Sequence, residues 1–218
     1  MTIILYSKIS KEFQDECFET HINTIPEKLK NKINAFRRWQ DKQTSLLGLL
    51  LLRHGISRFS DSQDDPLHLL KYNSYGKPFL DIDLDFNISH SGDFTFCIIS
   101  NDNKVGIDIE KIRDIDVTIL KSQMTITEWE NIVKADPVKD CAFKYWTQKE
   151  AVVKAIGKGL SIALSSFAIV NDKATIDSDT WHVYPLPINI DGYSSHIAIN
   201  KELSPIELPC EFVNFYKS

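Results

Sequence analysis

The sequence predicts an α+β fold of antiparallel sheets, arranged as two similar halves. Several short runs alternate apolar and polar residues or are rich in β-branched and aromatic ones, and turn residues separate them. Two long stretches carry apolar residues at helical spacing instead. The order is strand, helices and strands, then helices and strands again, which favours α+β.

Each element follows in turn. "TIILYSKI" opens as a strand. A helical stretch starts at Pro26, which suits a first turn, and Glu27 complements the dipole there. Leu29, Ile33 and Phe36 recur at helical spacing. The pattern breaks near residue 40 and resumes through Leu46, Leu49, Leu50 and Arg53. "RFSDSQDDP" is polar and ends in Pro66, so it reads as a loop. "NSYGKP" is a turn, followed by a short extended piece, "FLDIDLDF". "FNISHSGDFTFCIISNDNKVGIDIE" then reads as two or three strands, with turns at "SG" and "NDN". "TITEWENIVK" is a helix with Thr127 as its expected cap. A second helix covers "DPVKDCAFKYWTQKEAVVKAIGKG", started by Asp136 and Pro137 and ended by Gly157 or Gly159. "SFAIVND", "DTWHVYPL", "YSSHIAI" and "CEFVNFY" read as strands. No fixed-period repeat is present.

Composition narrows the function. With 218 residues and 43% hydrophobic content, the chain can form one domain or two closely packed halves. A net charge of −5 argues against a nucleic-acid binder. Residues 1–80 carry 12 Lys/Arg against 9 Asp/Glu, and residues 81–218 carry 13 against 21. An acidic half facing a more basic one suits a metal held together with a phosphorylated ligand, although plain surface charge explains the same counts. Cys17, Cys97, Cys141 and Cys210 are far apart, without zinc spacing or a disulfide framework. "MTIILYSK" is too short an apolar run for a signal peptide. "LLGLLLL" falls well below the ~18 residues of a membrane span. These features predict a soluble cytoplasmic protein with no nucleic-acid or membrane partner.

Three stretches could carry chemistry. In "VGIDIE", strand alternation puts Val105, Ile107 and Ile109 on one face and Gly106, Asp108 and Glu110 on the other. The two carboxylates are then roughly 7 Å apart along the strand, within reach of one cation, and Gly106 leaves room beside them. An edge strand with a solvated acidic face is the competing explanation. Trp146, Glu150 and Lys154 stand at i, i+4 and i+8 on one helix face. They supply a third carboxylate and a phosphate-neutralising cation, or else a surface ion pair with Trp146 in the core. His90 lies between Ser89 and Ser91 at a strand end, where hydroxyls, backbone N–H groups and an imidazole suit an anion.

In this order the three stretches resemble the surfactin-type branch of the 4'-phosphopantetheinyl transferase superfamily. The matching residues are "GKPFLDIDLDFNISHS" (76–91), "GIDIE" (106–110) and "WTQKEAVVKAIGKGL" (146–160). "PEK" (26–28) and "LLGLLLLR" (46–53) look like the family's N-terminal helical segment, so the resemblance spans residues about 26 to 170.

The resemblance implies two halves, each an antiparallel sheet packed with helices, related by a pseudo-two-fold. The chain length fits this pseudo-dimer, acting as a monomer, rather than the half-length, trimeric holo-acyl-carrier synthases. The division is placed near residue 103, giving an N-terminal half (1–103) and a C-terminal half (104–218). The implied activity moves the 4'-phosphopantetheine arm of coenzyme A to a serine hydroxyl of an apo acyl or peptidyl carrier protein, or of a carrier domain of a synthase. Adenosine 3',5'-bisphosphate is released. Asp108, Glu110 and Glu150 match the acids that bind Mg²⁺, with Mn²⁺ as the other candidate ion. Glu150 matches the base for the carrier serine, and Lys154 the lysine on the pyrophosphate. Lys28, Lys32, Lys77, Ser89 and His90 resemble the coenzyme A contacts. Where the family often has Arg-Thr before "LLG", this chain has Thr44 and Ser45. Ser45 keeps the hydroxyl, and Lys42 is the candidate to restore the charge. Lys30 and Lys32 are hard to separate in the match. A non-catalytic coenzyme A or carrier-binding module, and a metal-dependent pyrophosphohydrolase, are the alternatives. "KIRDIDVTILKSQM" is a candidate docking segment, although Ile112, Ile115, Val117 and Leu120 equally suit a core.

Overall fold

The computed structural model describes residues 1–13, 16–60, 62, 64–203 and 208–216. Its helices are α1 (Glu16–Ile22), α2 (Glu27–Asn34), α3 (Trp39–Ile56), α4 (Ile126–Lys134) and α5 (Val138–Ile156). Its strands are β1 (Thr2–Lys8), β2 (Lys71–Tyr72), β3 (Pro78–Phe79), β4 (Asp85–Ser91), β5 (Phe94–Ser100), β6 (Val105–Lys111), β7 (Lys173–Ile176), β8 (Asp179–Pro185), β9 (Tyr193–Ile199) and β10 (Cys210–Phe212). One four-stranded sheet has the order β10-β1-β5-β4 and another the order β6-β9-β8-β7, while β2 and β3 form a hairpin. The fold is α+β, with a long helix, α3 or α5, packed on each large sheet. This fits the expected plan of two similar halves.

Alternation along the strands builds the layers. Ile3 and Leu5 of β1 pack with Leu47, Leu50 and Leu51 of α3, whereas Ile4 turns to the opposite side. There it meets Phe96, Ile98, Val105, Ile107, Ile109, Ile197 and Ile199, all buried, in an apolar layer to which both sheets contribute. Ala198, Val183 and Trp181 of the second sheet pack against Ala151, Val152 and Ala155 of α5. All the pairings are antiparallel except that of β10, which runs parallel to β1 with Cys210 opposite Ile4. A bidentate Arg58–Glu211 pair at 2.7 and 2.8 Å fastens that late strand to the first half.

Gly106 decides how closely α5 approaches β6. A Cβ there would lie 2.1 Å from the Ala151 carbonyl oxygen and 2.4 Å from the Ala155 nitrogen. The glycine therefore admits the helix backbone, not a ligand as its place beside the acids suggested. α5 ends at Gly157, whose φ of 75° forms a left-handed C-cap.

The structure departs from the sequence reading in several elements. The helical break falls at residues 35–38 rather than near 40, and Phe36 lies outside both helices. Thr125, not Thr127, caps α4. It accepts from the Glu128 amide while the Glu128 carboxylate accepts from the Thr125 amide, a capping box. "SFAIVND" forms no strand beyond a single bridge at Val170. Asn171 and Asp172, at positive φ, turn the chain there, and the strand is Lys173–Ile176 instead. The last strand covers only Cys210–Phe212 of "CEFVNFY". Among the described residues, no helix is long and apolar enough to cross a membrane.

Gly106→Ala is expected to cost about 1–3 kcal/mol of stability through overpacking against a helix backbone. Urea denaturation of the two proteins checks this, and an unchanged midpoint would mean that α5 can shift freely.

Candidate active site

The candidate site lies where the edge strands β4 and β6 run side by side. β6 pairs with β9 on one side, which leaves its other N–H row without a backbone partner. Alternate side chains of β4 fill that row. The Asp85 carboxylate accepts from Val105 N (2.8 Å), Asn87 Oδ1 from Ile107 N (3.0 Å), Ser89 Oγ from Ile109 N (3.3 Å) and Ser91 Oγ from Lys111 N (3.0 Å). Short acceptors at every second position therefore substitute for a backbone ladder. Their signal in the sequence is the D-x-N-x-S-x-S spacing of Asp85 to Ser91.

The three acids singled out in the sequence sit against this seam. Asp108 is buried, at 3% exposure. Its Oδ1 accepts from Ser89 Oγ at 3.2 Å and Lys154 Nζ at 2.6 Å, while its Oδ2 is buried without a hydrogen-bond partner. Glu110 is half-buried, and its Oε2 accepts from Ser91 Oγ at 2.8 Å. Glu150 is half-buried on α5, one turn before Lys154. Burial and then the Asp108 charge raise the Glu150 pKa, and Lys154 opposes. Burial raises that of Glu110 too, opposed by the Ser91 hydrogen bond, while the Asp108 charge pushes it the same way as burial. The three carboxylates thus share one field. Among the described residues, no three His, Cys, Asp or Glu side chains converge into a ready-made metal cage. The Lys154 ammonium instead lies on Asp108 and also donates to Ser89 Oγ at 3.0 Å.

The other sequence candidates lie around this centre in different states. Lys77 is nearly buried. Its ammonium holds Asp85 at 3.1 and 3.2 Å and the Ala155 carbonyl at 3.2 Å, near the end of α5. Asn73 donates to the Gly157 carbonyl at 2.9 Å, so the Asn73–Lys77 turn caps α5 from the other half. Lys28 and Lys32 are exposed on α2, and Lys32 Nζ stands 5.0 Å over the Tyr72 ring. Lys30 instead donates to Asn23. Ser45 is half-buried on α3. Ser89 and His90, as strand neighbours, present their side chains to opposite faces. His90 is an exposed residue, yet crowding around its ring and then the Lys154 charge lower its pKa, with Asp41 opposing. Of the docking-segment residues, Leu120 is buried, and Ile112, Ile115 and Val117 are half-buried. A cavity of about 280 Å³ opens beside the seam, lined by Tyr75, Lys77, Asn87, Glu150, Val153 and Lys154 among others.

Two supports escaped the sequence reading. Thr147 Oγ1, one turn before Glu150, lies 2.7 Å from His196 Nδ1 and 3.0 Å from Ser194 Oγ. His196 and Ser194 are the β9 partners of Asp108 and Glu110, so α5 is pinned beside the acids. Burial and then the Lys144 charge push the His196 pKa down to about 4, which leaves the ring neutral at pH 7. Lys149, fully buried, pairs with Glu128 at 2.8 Å and donates to the Leu164 and Phe167 carbonyls. Glu128 in turn accepts from Ile169 N at 2.9 Å. Its capping-box spacing to Thr125 was the available signal.

Comparison with known proteins places the chain in a family. A family model described as the 4'-phosphopantetheinyl transferase superfamily matches residues 104–200, and one for the N-terminal region of a 4'-phosphopantetheinyl transferase matches residues 12–102. The 4'-phosphopantetheinyl transferase gsp of Aneurinibacillus migulanus is 37% identical over 78% of this chain and 71% of its own length. The chain belongs to the 4'-phosphopantetheinyl transferase superfamily. The 4'-phosphopantetheinyl transferase Sfp of Bacillus subtilis (strain 168) is 35% identical, covering 72% of this chain and 69% of its own length. A rat relative, L-aminoadipate-semialdehyde dehydrogenase-phosphopantetheinyl transferase, is 29% identical over 75% of this chain and 57% of its own length.

Within this superfamily member, Lys149→Met leaves Glu128 buried without its cation. The expected cost is about 3–5 kcal/mol. Equilibrium denaturation measures it, and the double variant Lys149→Met/Glu128→Leu is expected to recover part of the loss.

Proposed function

We propose that this transferase moves the 4'-phosphopantetheine arm of coenzyme A onto a serine hydroxyl of an apo acyl or peptidyl carrier protein. The observation that carries the reading is the Asp108 carboxylate, buried between Ser89 and Lys154 with one oxygen unpartnered. A buried anionic oxygen of this kind fits a hard cation. Asp108, Glu110 and Glu150 are the residues that would hold Mg²⁺ or Mn²⁺. When bound, the ion neutralises pyrophosphate charge and charge developing at the attacked phosphorus.

The chain's own groups do the rest. Glu150 takes the proton of the carrier serine as the serine oxygen bonds to phosphorus, directly or through water. Its raised pKa favours that role. The bond that breaks joins the same phosphorus to the oxygen leaving with adenosine 3',5'-bisphosphate. Lys154 meets the pyrophosphate and gives the leaving oxygen a proton. Lys28, Lys32, Ser45, Lys77, Ser89 and His90 make up the coenzyme A side of the cleft. Lys77 forms part of the cavity wall, while its ammonium holds the end of α5. On this reading residues 1–103 supply the coenzyme contacts and residues 104–218 the acids. The enzyme works as a cytoplasmic monomer.

Transfer is measured as the mass gain of an apo-carrier incubated with coenzyme A and Mg²⁺. Asp108→Asn and Glu150→Gln are each expected to lower the rate at least ~100-fold with the fold retained. EDTA is expected to abolish transfer, and excess Mg²⁺ to restore it. Unchanged rates in both variants would reject the assignment of the acids. Coenzyme A binding without transfer to any of a panel of carriers would reject the activity.

A further inference from the structure

The two serines of β4 repeat one device. Ser89 Oγ accepts the N–H of Ile109, the residue after Asp108, and donates to Asp108 Oδ1. Ser91 Oγ accepts the N–H of Lys111, the residue after Glu110, and donates to Glu110 Oε2. A hydroxyl has one proton. Since each oxygen takes an amide hydrogen as acceptor, its own proton is directed to the carboxylate. In both cases one carboxylate oxygen is engaged. For Asp108 the other is Oδ2, which has no hydrogen-bond partner. For Glu110 both Ser91 and the Arg113 guanidinium, at 3.9 Å, act on the same oxygen, Oε2.

We propose that Ser91 is a positioning residue for the cation site: it fixes Glu110 by Oε2 so that Oε1 is presented to a divalent ion. This rests on the metal-site reading given above. The serine itself is held by β4, whose register with β6 is set at four successive points of the seam. Orientation of the ligand thus comes from the N-terminal half, although the ligand belongs to the C-terminal half. Loss of such a supporting hydrogen bond typically weakens metal affinity 10–100-fold.

The test titrates Mn²⁺ into the full-length protein with coenzyme A present and follows the free-ion signal by electron paramagnetic resonance. Ser91→Ala is expected to raise the Mn²⁺ dissociation constant about 10–100-fold, and Ser91→Thr, which keeps the hydroxyl, to stay within about threefold of the parent. Coenzyme A affinity measured without metal is expected to be the same in all three, which a general loss of structure would not allow. If Ser91→Ala does not fold, Ser91→Cys, with its weak donor, replaces it in the same comparison. Unaltered Mn²⁺ affinity in a folded Ser91→Ala protein would overturn the inference and leave the metal site standing. A parent protein that binds no Mn²⁺ would overturn both.

Discussion

Four side chains joining two edge strands hold this molecule's working parts together. β6 enters the interior with one row of N–H groups that its own sheet cannot satisfy. A buried amide left unpaired costs about 1–3 kcal/mol. A backbone ladder would satisfy the row but would weld the two sheets into one. Asp85, Asn87, Ser89 and Ser91 solve the problem with side-chain oxygens. The four bonds lock the register of the strands, and a slip by one residue would turn Phe86, Ile88 and His90 toward the row instead.

The seam also places the chemistry. Because β6 is fixed at residues 105, 107, 109 and 111, the intervening Asp108 and Glu110 are fixed too. Gly106 lets α5 settle on the same strand, and Thr147 bonds to the β9 partners of the acids. Glu150 and Lys154 then overhang Asp108 as a consequence of backbone packing. The other half closes the far end, where Asn73 and Lys77 satisfy carbonyls at the terminus of α5. The cleft is a property of the joint between the halves, since its lining comes from both.

Much of this was legible from spacing. Period two separated Val105, Ile107 and Ile109 from Gly106, Asp108 and Glu110, and the structure places the first three in the apolar layer between sheets. Helical spacing put Glu150 and Lys154 on one face. What spacing could not reveal was which neighbour each face meets. Gly106 looked like room for a ligand because its partner, the α5 backbone, lies some 50 residues away in sequence. Ser89 and His90 are adjacent in sequence, but strand alternation gives them different neighbours. The Lys77 ammonium bonds to Asp85 and the Ala155 carbonyl, a contact no local pattern encodes. Thr127 suits a cap by residue type, but Thr125 is the one with Glu128 three residues on.

The pairing of Lys154 with Asp108 offsets much of the charge buried at this centre. A buried carboxylate is costly unless a positive charge and hydrogen bonds compensate it. Here an ammonium at 2.6 Å and a serine hydroxyl at 3.2 Å compensate Oδ1, and Oδ2 is left over. Replacing Asp108 by an apolar residue would remove that leftover oxygen and strand Lys154 instead, so stability alone gives a mixed account of the acid. A divalent ion held by Asp108, Glu110 and Glu150, as proposed above, would add the positive charge that this buried carboxylate group calls for.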